Sequence, residues 1–179
     1  MRLFTDRLLV ESVVIDDYEK LYCIFSDPLV MRFWSSPCWR SSDEAREKVN
    51  NVVNAGIDGE SVPAVIKLSG NNEVIGVCSF DSVNTSSRRA EIGFCLSSSC
   101  WGNGYMTEAL TSFIAYGFNE LNLNRIEADI DPRNEKSIMC VKRLGFQLEG
   151  VLRERWIVDG RVGDSVIYGL IFKDWQSKL

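Results

Sequence analysis

The chain has 179 residues, of which 45% are hydrophobic and 25% are charged. This balance is typical of a soluble globular protein and unlike that of a disordered or collagen-like chain. Twenty basic and 25 acidic residues give a net charge of −5, which argues against a strongly basic nucleic-acid-binding surface. The chain has no histidine, so a Ser-His-Asp triad, a Cys-His protease site and a histidine-ligated zinc site are excluded.

The cysteines and the N-terminal residues indicate the compartment. No two of the six cysteines form a Cys-x-x-Cys pair. Arg2, Asp6 and Arg7 interrupt the apolar residues at the N-terminus, so no secretory signal is visible. Residues 92–107, the least charged stretch, contain serines, glycines and an asparagine and do not read as a membrane span. We therefore expect a reduced, cytoplasmic protein whose cysteines are mostly small core residues.

The N-terminal third predicts one strand and two helices. Residues 8–14 have the apolar periodicity of a strand, and the helix after it ends before Pro28, which cannot continue it. Ser41 and Glu44 fit a capping box that opens the second helix, and Gly56 is its expected C-cap.

The middle of the chain changes to strand periodicity. We predict strands at residues 62–67, 73–80 and 89–96, arranged as an antiparallel meander. In the third strand Glu91 lies on the face opposite four apolar side chains, because successive side chains alternate. The apolar face consists of Ala90, Ile92, Phe94 and Leu96, and the other face of Glu91, Gly93 and Cys95.

The remaining pattern predicts a helix, a strand, a second helix and a pair of strands. In order, these elements cover residues 106–118, 125–130, 134–144, 146–158 and 165–172. Gly145 closes the second of these helices, and Asp159-Gly160 forms the turn between the last two strands.

A glycine-rich segment opens the helix at residues 106–118. Gly102-Asn103-Gly104 lets backbone N–H groups point outward at a helix N-terminus, which carries a partial positive charge and suits a phosphate. The same glycines also fit an ordinary tight turn. The segment alone therefore leaves an anion site and a turn as alternatives.

Several ordered segments together resemble a known family. They are residues 5–9 (TDRLL), 89–94 (RAEIGF), 101–110 (WGNGYMTEAL), 134–137 (NEKS), 142–146 (KRLGF) and 149–153 (EGVLR). These closely resemble the GNAT superfamily of acetyl-CoA-dependent N-acetyltransferases, and within it the ribosomal-protein N-terminal alanine acetyltransferases. The resemblance implies one α/β (α+β) domain over residues 1–179. It implies a mixed, mostly antiparallel sheet with splayed central strands, flanked by helices.

The resemblance also implies where acetyl-CoA binds. The family's pyrophosphate loop falls on Trp101, Gly102, Asn103, Gly104, Tyr105 and Met106, and the backbone amides of residues 102–106 would hold the pyrophosphate. Thr107, the next residue, is a further cofactor-binding candidate. Trp101 stands where the family has Gln or Arg, and Met106 where it has Gly or Ala. Free backbone groups at Phe94, Cys95 and Leu96 would pair with the pantetheine arm, and Asn134 would bond the cofactor. No metal is implied.

Two residues are candidates for catalysis of direct acetyl transfer to an amine. Glu91 would be the general base, through water. Its alternatives are an exposed strand carboxylate or a salt-bridge partner of Arg88 or Arg89. Ser137 would donate a hydrogen bond to the departing thiolate, or else cap its helix with its hydroxyl. The tyrosine that other branches use is replaced by Val141, which fits the protein N-terminal branch better than a polyamine or histone-type enzyme.

Other features have competing interpretations. Asp129 and Asp131 are a metal-binding pair or solvent-facing acids, and Cys95 is an acyl-carrying nucleophile or a core residue. A loop carries aromatic side chains that line an acceptor pocket or pack against the protein. These are Phe33, Trp34 and Trp39, with Trp156 near the C-terminus.

The function that we predict is transfer of an acetyl group from acetyl-CoA to a primary amine, the N-terminus of a protein or peptide. The alternatives are a small-molecule amine (an amino acid, polyamine or aminoglycoside) and a catalytically silent acyl-CoA-binding domain, which Trp101, Met106 and the missing tyrosine suggest. We expect no nucleic-acid or membrane partner and a monomer or homodimer.

Overall fold

A computed structural model describes residues 1–177 and contains one eight-stranded sheet in the order β1-β2-β3-β4-β5-β6-β8-β7. The strands are β1 (Arg2–Phe4), β2 (Leu8–Ser12), β3 (Val62–Leu68), β4 (Val74–Asn84), β5 (Arg89–Leu96), β6 (Arg125–Ile130), β7 (Gln147–Val158) and β8 (Arg161–Ile171). Neighbouring strands are antiparallel except for β5 and β6, which are parallel. The mixed, mostly antiparallel sheet is confirmed.

In the described residues, six α-helices flank the sheet. They are α1 (Tyr18–Phe25), α2 (Pro28–Met31), α3 (Ser42–Ile57), α4 (Tyr105–Asn119), α5 (Glu135–Leu144) and α6 (Phe172–Gln176). The Ser41 hydroxyl caps α3 by accepting from the Glu44 N–H at 3.1 Å, and the Glu44 carboxylate accepts from the Arg40 N–H. The Ser41 cap is as predicted. In a capping box the Glu44 carboxylate would accept from the N–H of Ser41, whereas here it accepts from the N–H of Arg40. No helix in residues 1–177 is long and apolar enough to cross a membrane.

Apolar residues on the two faces of the sheet form two cores. The first core contains the buried side of α4, the face of β5 that carries Ala90 and Ile92, and residues of α5 and β6. The second contains α1, α3 and Cys95 of β5. The alternation predicted for β5 is therefore confirmed, and it leaves Glu91 on the side of the second core.

The structure differs from the sequence prediction at short elements and at element ends. β1, α2 and α6 are not predicted, because three to five residues show too little periodicity. Gly56 is not a C-cap: α3 continues to Ile57, and the residue with positive φ is Gly59 at +77°. β8 starts at Arg161 rather than at residue 165, because its first residues pair only with β7 in an extended hairpin.

Candidate active site

The parallel strands β5 and β6 separate part-way along their length. They pair only from Arg89 to Glu91 on β5, and β6 then continues with β8 alone. On its other side β5 stays paired with β4 as far as Leu96, opposite Gly76. A Cβ at residue 76 would lie 2.5 Å from the Leu96 side chain, so only glycine permits this approach. Residues 92–96 therefore have one backbone edge without a strand partner in the described chain.

Helices α4 and α5 begin near this opening. Because parallel strands end at the same edge of a sheet, the helices that follow β5 and β6 start on the same side. The ammonium of Lys136, in the first turn of α5, lies 4.6 Å from the centre of the Trp101 ring, just before α4. The Thr107 hydroxyl and the Cys140 sulfur, 3.7 Å apart, also join the two helices.

The segment before α4 presents a run of backbone N–H groups. Gly102 and Gly104 have φ angles of +81° and +78°, and Gly104 is the N-cap of α4. Within the part of the chain that the structure describes, the N–H groups of residues 102–107 donate no hydrogen bond. Together with the helix dipole they form an electropositive cradle suited to a phosphate.

The side chain of Trp101 is directed away from the cradle. Its indole N–H donates to the Leu96 carbonyl at 3.0 Å, which ties the segment to the end of β5. The Asn103 side-chain amide donates to the carbonyl oxygens of Cys100 and Trp101, at 3.2 Å each. The Leu96 carbonyl is thus already bonded within the protein. The Phe94 side chain packs against the first core, and the Cys95 side chain lies in the second.

A residue that sequence reasoning did not single out also holds the cradle. The Arg7 guanidinium forms an ion pair with Glu108 at 2.6 Å, donates to the Asn103 carbonyl at 3.1 Å and lies 4.6 Å from the centre of the Tyr105 ring. Arg7 belongs to the segment at residues 5–9 that carries part of the family resemblance. The resemblance of residues 5–9 to the family was the signal in the sequence that pointed to Arg7. It gave no indication that Arg7 contacts α4.

Glu91 has no ion-pair partner among residues 1–177. Arg89 pairs with Glu127 at 2.7 Å, and Arg88 donates to the Asn122 carbonyl, so the interpretation of Glu91 as their partner is wrong. Its side chain is half-buried at the point where β5 and β6 separate. Desolvation raises the pKa of Glu91 above its usual range.

Carboxylates on neighbouring strands raise the pKa of Glu91 further. Asp81 of β4 lies directly opposite Glu91 in the ladder. Asp129 of β6 accepts from Arg155 at 3.3 Å and from the Trp156 indole at 3.4 Å, which holds the β7–β8 hairpin over this part of the sheet. The Arg155 charge acts in the opposite direction and lowers the pKa of Glu91.

The first turn of α5 contains Asn134 and Ser137. The Asn134 side chain is the cap, since its oxygen accepts from the Ser137 N–H at 3.2 Å. The interpretation of the Ser137 hydroxyl as the cap is therefore wrong. In residues 1–177 that hydroxyl has no hydrogen-bond partner, so it is available to a ligand.

Other candidate residues also have partners in the structure. The interpretation of Asp129 and Asp131 as solvent-facing acids is wrong, because their side chains are only 6% and 14% exposed. Asp131 pairs with Arg133 at 2.6 Å, and residues 1–177 contain no group of three potential metal ligands. Burial raises the pKa of the Cys95 thiol to about 12, which makes it a core residue and a poor nucleophile. Trp39 is buried against Phe25, with ring centres 4.5 Å apart.

A cavity of about 970 Å³ lies on the same face of the sheet as Glu91, between α3 and strands β3 and β4. Its lining includes three aromatic residues of the second core (Phe25, Trp34 and Trp39), Val52 of α3, and Ser79 and Asp81 of β4. Trp34 and Trp39 therefore both line this cavity.

The chain is similar to known proteins along most of its length. A family model described as an acetyltransferase (GNAT) domain matches residues 7–147. An uncharacterized N-acetyltransferase, p20, of Bacillus licheniformis is 34% identical over 97% of this chain and 97% of that protein. The ribosomal protein uS5-alanine N-acetyltransferase of Escherichia coli is 30% identical over 98% of this chain and 93% of that enzyme. The solved structure of spermidine N-acetyltransferase from Vibrio cholerae, in complex with CoA and spermine, shares the fold. Its TM-score is 0.86 at 21% identity, and 96% of this chain and 99% of that chain are covered.

Proposed function

The chain belongs to the GNAT family of acetyltransferases, and we propose that it acetylates the N-terminal amine of a protein or peptide. It is an N-acetyltransferase with acetyl-CoA as the donor. The proposal therefore concerns the acceptor and the residues that act in the reaction. The observation that carries the assignment of these residues is the separation of β5 and β6 directly after Glu91, together with the free amides of residues 102–107.

The cradle supports a position for the donor. The N–H groups of residues 102–107 would hold the pyrophosphate, and Lys136 adds positive charge at the rim. The free backbone edge of β5 at Phe94 and Cys95 would pair with the pantetheine arm. Asn134 would bond the cofactor through its side-chain NH2 group, since its side-chain oxygen caps α5. In this placement the thioester lies between Glu91 on β5 and Ser137 on α5.

The chemistry requires a neutral amine, a polarised thioester and a stabilised leaving group. In this mechanism Glu91, directly or through water, takes a proton from the acceptor ammonium. The free amine attacks the thioester carbonyl and a C–N bond forms. Collapse of the tetrahedral intermediate breaks the C–S bond, and the second proton on the nitrogen passes to the leaving thiolate or to solvent, so that the products are the N-acetyl amide and CoA. Ser137 donates a hydrogen bond to the sulfur as it becomes a thiolate. No covalent enzyme intermediate is needed.

One observation favours a protein N-terminus as the acceptor, and a second favours a cationic amine of any class. The full-length similarity to a ribosomal-protein alanine N-acetyltransferase, at 30% identity, supports a protein substrate. The carboxylates Asp81, Glu91 and Asp129 on one face of the sheet also suit a cationic amine.

The test is thiol release from acetyl-CoA in the presence of different acceptors. The panel contains peptides that begin with Ala, Ser or Met, together with spermidine, amino acids and aminoglycosides. We expect release with peptides, whereas release with a small amine alone would overturn the proposed acceptor. CoA at 100 times its dissociation constant should stabilise the fold by about 2.7 kcal/mol, or roughly 5–10 °C. Absence of both release and stabilisation would contradict the donor site.

A further inference from the structure

We propose that the cavity beside Asp81 is the acceptor pocket and that it selects an amine attached to a bulky apolar group. The matching substrate is a peptide whose first residue is aromatic or a large aliphatic. This inference rests on the proposed function and specifies its acceptor. It depends on two groups of side chains that line the same cavity, the polar pair Ser79 and Asp81 and an aromatic cluster.

Ser79 and Asp81, the polar pair, lie on β4, the strand that pairs with β5 at Glu91. The Ser79 hydroxyl donates to the Asp81 carboxylate at 2.5 Å, and the pair leans over Gly93 of β5. A Cβ at residue 93 would lie 3.1 Å from the Ser79 oxygen and 3.4 Å from an Asp81 oxygen, so glycine leaves room for both side chains. Asp81 and Glu91 are directly opposite each other, and the Cβ atoms of such pairs are about 4.5–5.5 Å apart. An amine held by Asp81 is therefore within reach of the candidate base.

Asp81 has no cationic partner among residues 1–177. Two cations line the same cavity, but each faces another carboxylate: Arg89 pairs with Glu127 at 2.7 Å, and Lys48 with Glu44 at 3.5 Å. Desolvation raises the pKa of Asp81, and the hydrogen bond from Ser79 offsets only part of this effect. A primary ammonium would supply the missing positive charge.

The aromatic cluster in the lining of the cavity is already packed together. Phe25 stacks on Trp39 with ring centres 4.5 Å apart, and Trp34 meets Phe25 edge-on at 5.6 Å. Val52 of α3 also lines the cavity and is 39% exposed. These side chains are held by one another rather than by the acceptor, so a bulky group enters a site that is already ordered.

The size of the cavity fits this occupant. Its volume of about 970 Å³ is at the upper end of the roughly 300–1,000 Å³ found for ligand pockets. A small first residue would leave the apolar walls unfilled. Because a single methylene changes specificity by about 10- to 200-fold, a whole aromatic side chain should dominate the preference.

The test uses peptides that differ only in their first residue (Phe, Leu, Ala or Gly), with 2-phenylethylamine as a small amine. We expect kcat/KM for the Phe and Leu peptides to exceed that for the Gly peptide by at least about tenfold. Val52→Trp should fill the cavity and remove this preference by raising KM for the Phe peptide. Ile57→Trp is the matched control, because Ile57 lies on the same helix, is 77% exposed and does not line the cavity.

Asp81→Asn provides an independent readout. It keeps the shape of the side chain but removes the negative charge, so KM should rise about tenfold or more for every amine while kcat changes little. Equal kcat/KM across the peptides, or a Val52→Trp variant with the original preference, would overturn the pocket while leaving the transferase intact. Transfer to 2-phenylethylamine but to no peptide would support the pocket and overturn the peptide acceptor. No transfer to any amine would contradict the proposed function itself.

Discussion

Glu91→Gln is the most direct test of the proposed chemistry. The substitution keeps the size and shape of the side chain and breaks no ion pair, since Glu91 forms none among residues 1–177. A positioned general base contributes about 100- to 10,000-fold to the rate, which corresponds to about 2.7–5.4 kcal/mol of transition-state stabilisation. We expect kcat to fall by at least about 100-fold. KM for acetyl-CoA should stay unchanged, because the donor is held by the cradle.

The pH dependence follows from the same environment. Desolvation and the charges of Asp129 and Asp81 raise the pKa of Glu91. The base acts only when ionised, so kcat/KM should fall as the pH decreases through a pKa above the usual range for glutamate. The Gln variant should lack this acidic limb.

Protein stability should change in the opposite direction from activity. Because the folded pKa of Glu91 is raised, the folded state binds the proton more tightly than the unfolded state. The ionised form therefore costs stability at every pH above the folded pKa, and this cost disappears as the pH falls below the unfolded pKa. Glu91→Gln should have a larger free energy of unfolding than the wild type at neutral pH, with a difference that shrinks on acidification.

The assay is continuous thiol detection across pH with the best acceptor, together with urea unfolding at neutral and acidic pH. Glu47→Gln is a suitable control, since Glu47 is an exposed carboxylate on α3. A Glu91→Gln enzyme that retains a third or more of the wild-type rate and the same acidic limb would refute the role of Glu91. Loss of activity accompanied by loss of stability would show that the side chain is structural.

Three further predictions concern the leaving group, the cradle and the core. Ser137→Ala should lower kcat by about tenfold in the thiol-release assay with little change in KM for the acceptor, because one hydrogen bond to the thiolate is lost. Gly104→Ala places a side chain at φ +78°, which costs about 1–2 kcal/mol, and should weaken CoA-induced thermal stabilisation. Gly117→Ala should lower the free energy of unfolding by about 1–3 kcal/mol, measured by urea titration, although alanine favours helices. The new Cβ would lie 2.6 Å from the Phe80 ring, which stacks on Phe113 at 4.3 Å and cannot retreat.

The elements that position the site were predictable because their periodicity is strong. In α4 the apolar residues recur every three or four positions and all lie in one core. In β5 strict alternation placed Glu91 opposite Ala90 and Ile92, and the two residues are buried as expected. Local pattern therefore identified both the strand that carries the candidate base and the helix that carries the cradle.

The contacts that complete the site were not predictable, because they join residues that are distant in sequence. Arg7 and Glu108 are 101 residues apart, and neither position is unusual in its own segment. The short helix α2 is capped by Asp27, whose carboxylate also accepts from the Ser98 hydroxyl at 2.7 Å. The cavity likewise could not be predicted, because its lining residues come from α1, α3 and β4, which are far apart in the sequence.

The departures from the family pattern at the cradle bear on whether the chain could be a silent binding domain. Trp101 and Met106 replace residues that the family pattern has in this loop, but their side chains are used elsewhere. Trp101 bonds the Leu96 carbonyl and contacts Lys136, and Met106 packs against the first core. The donor would meet backbone N–H groups, which a change of side chain does not remove. Since these groups remain free at residues 102–107, the two substitutions give no reason to expect loss of donor binding. Turnover is a separate property, and the thiol-release assay distinguishes a transferase from a domain that only binds the donor.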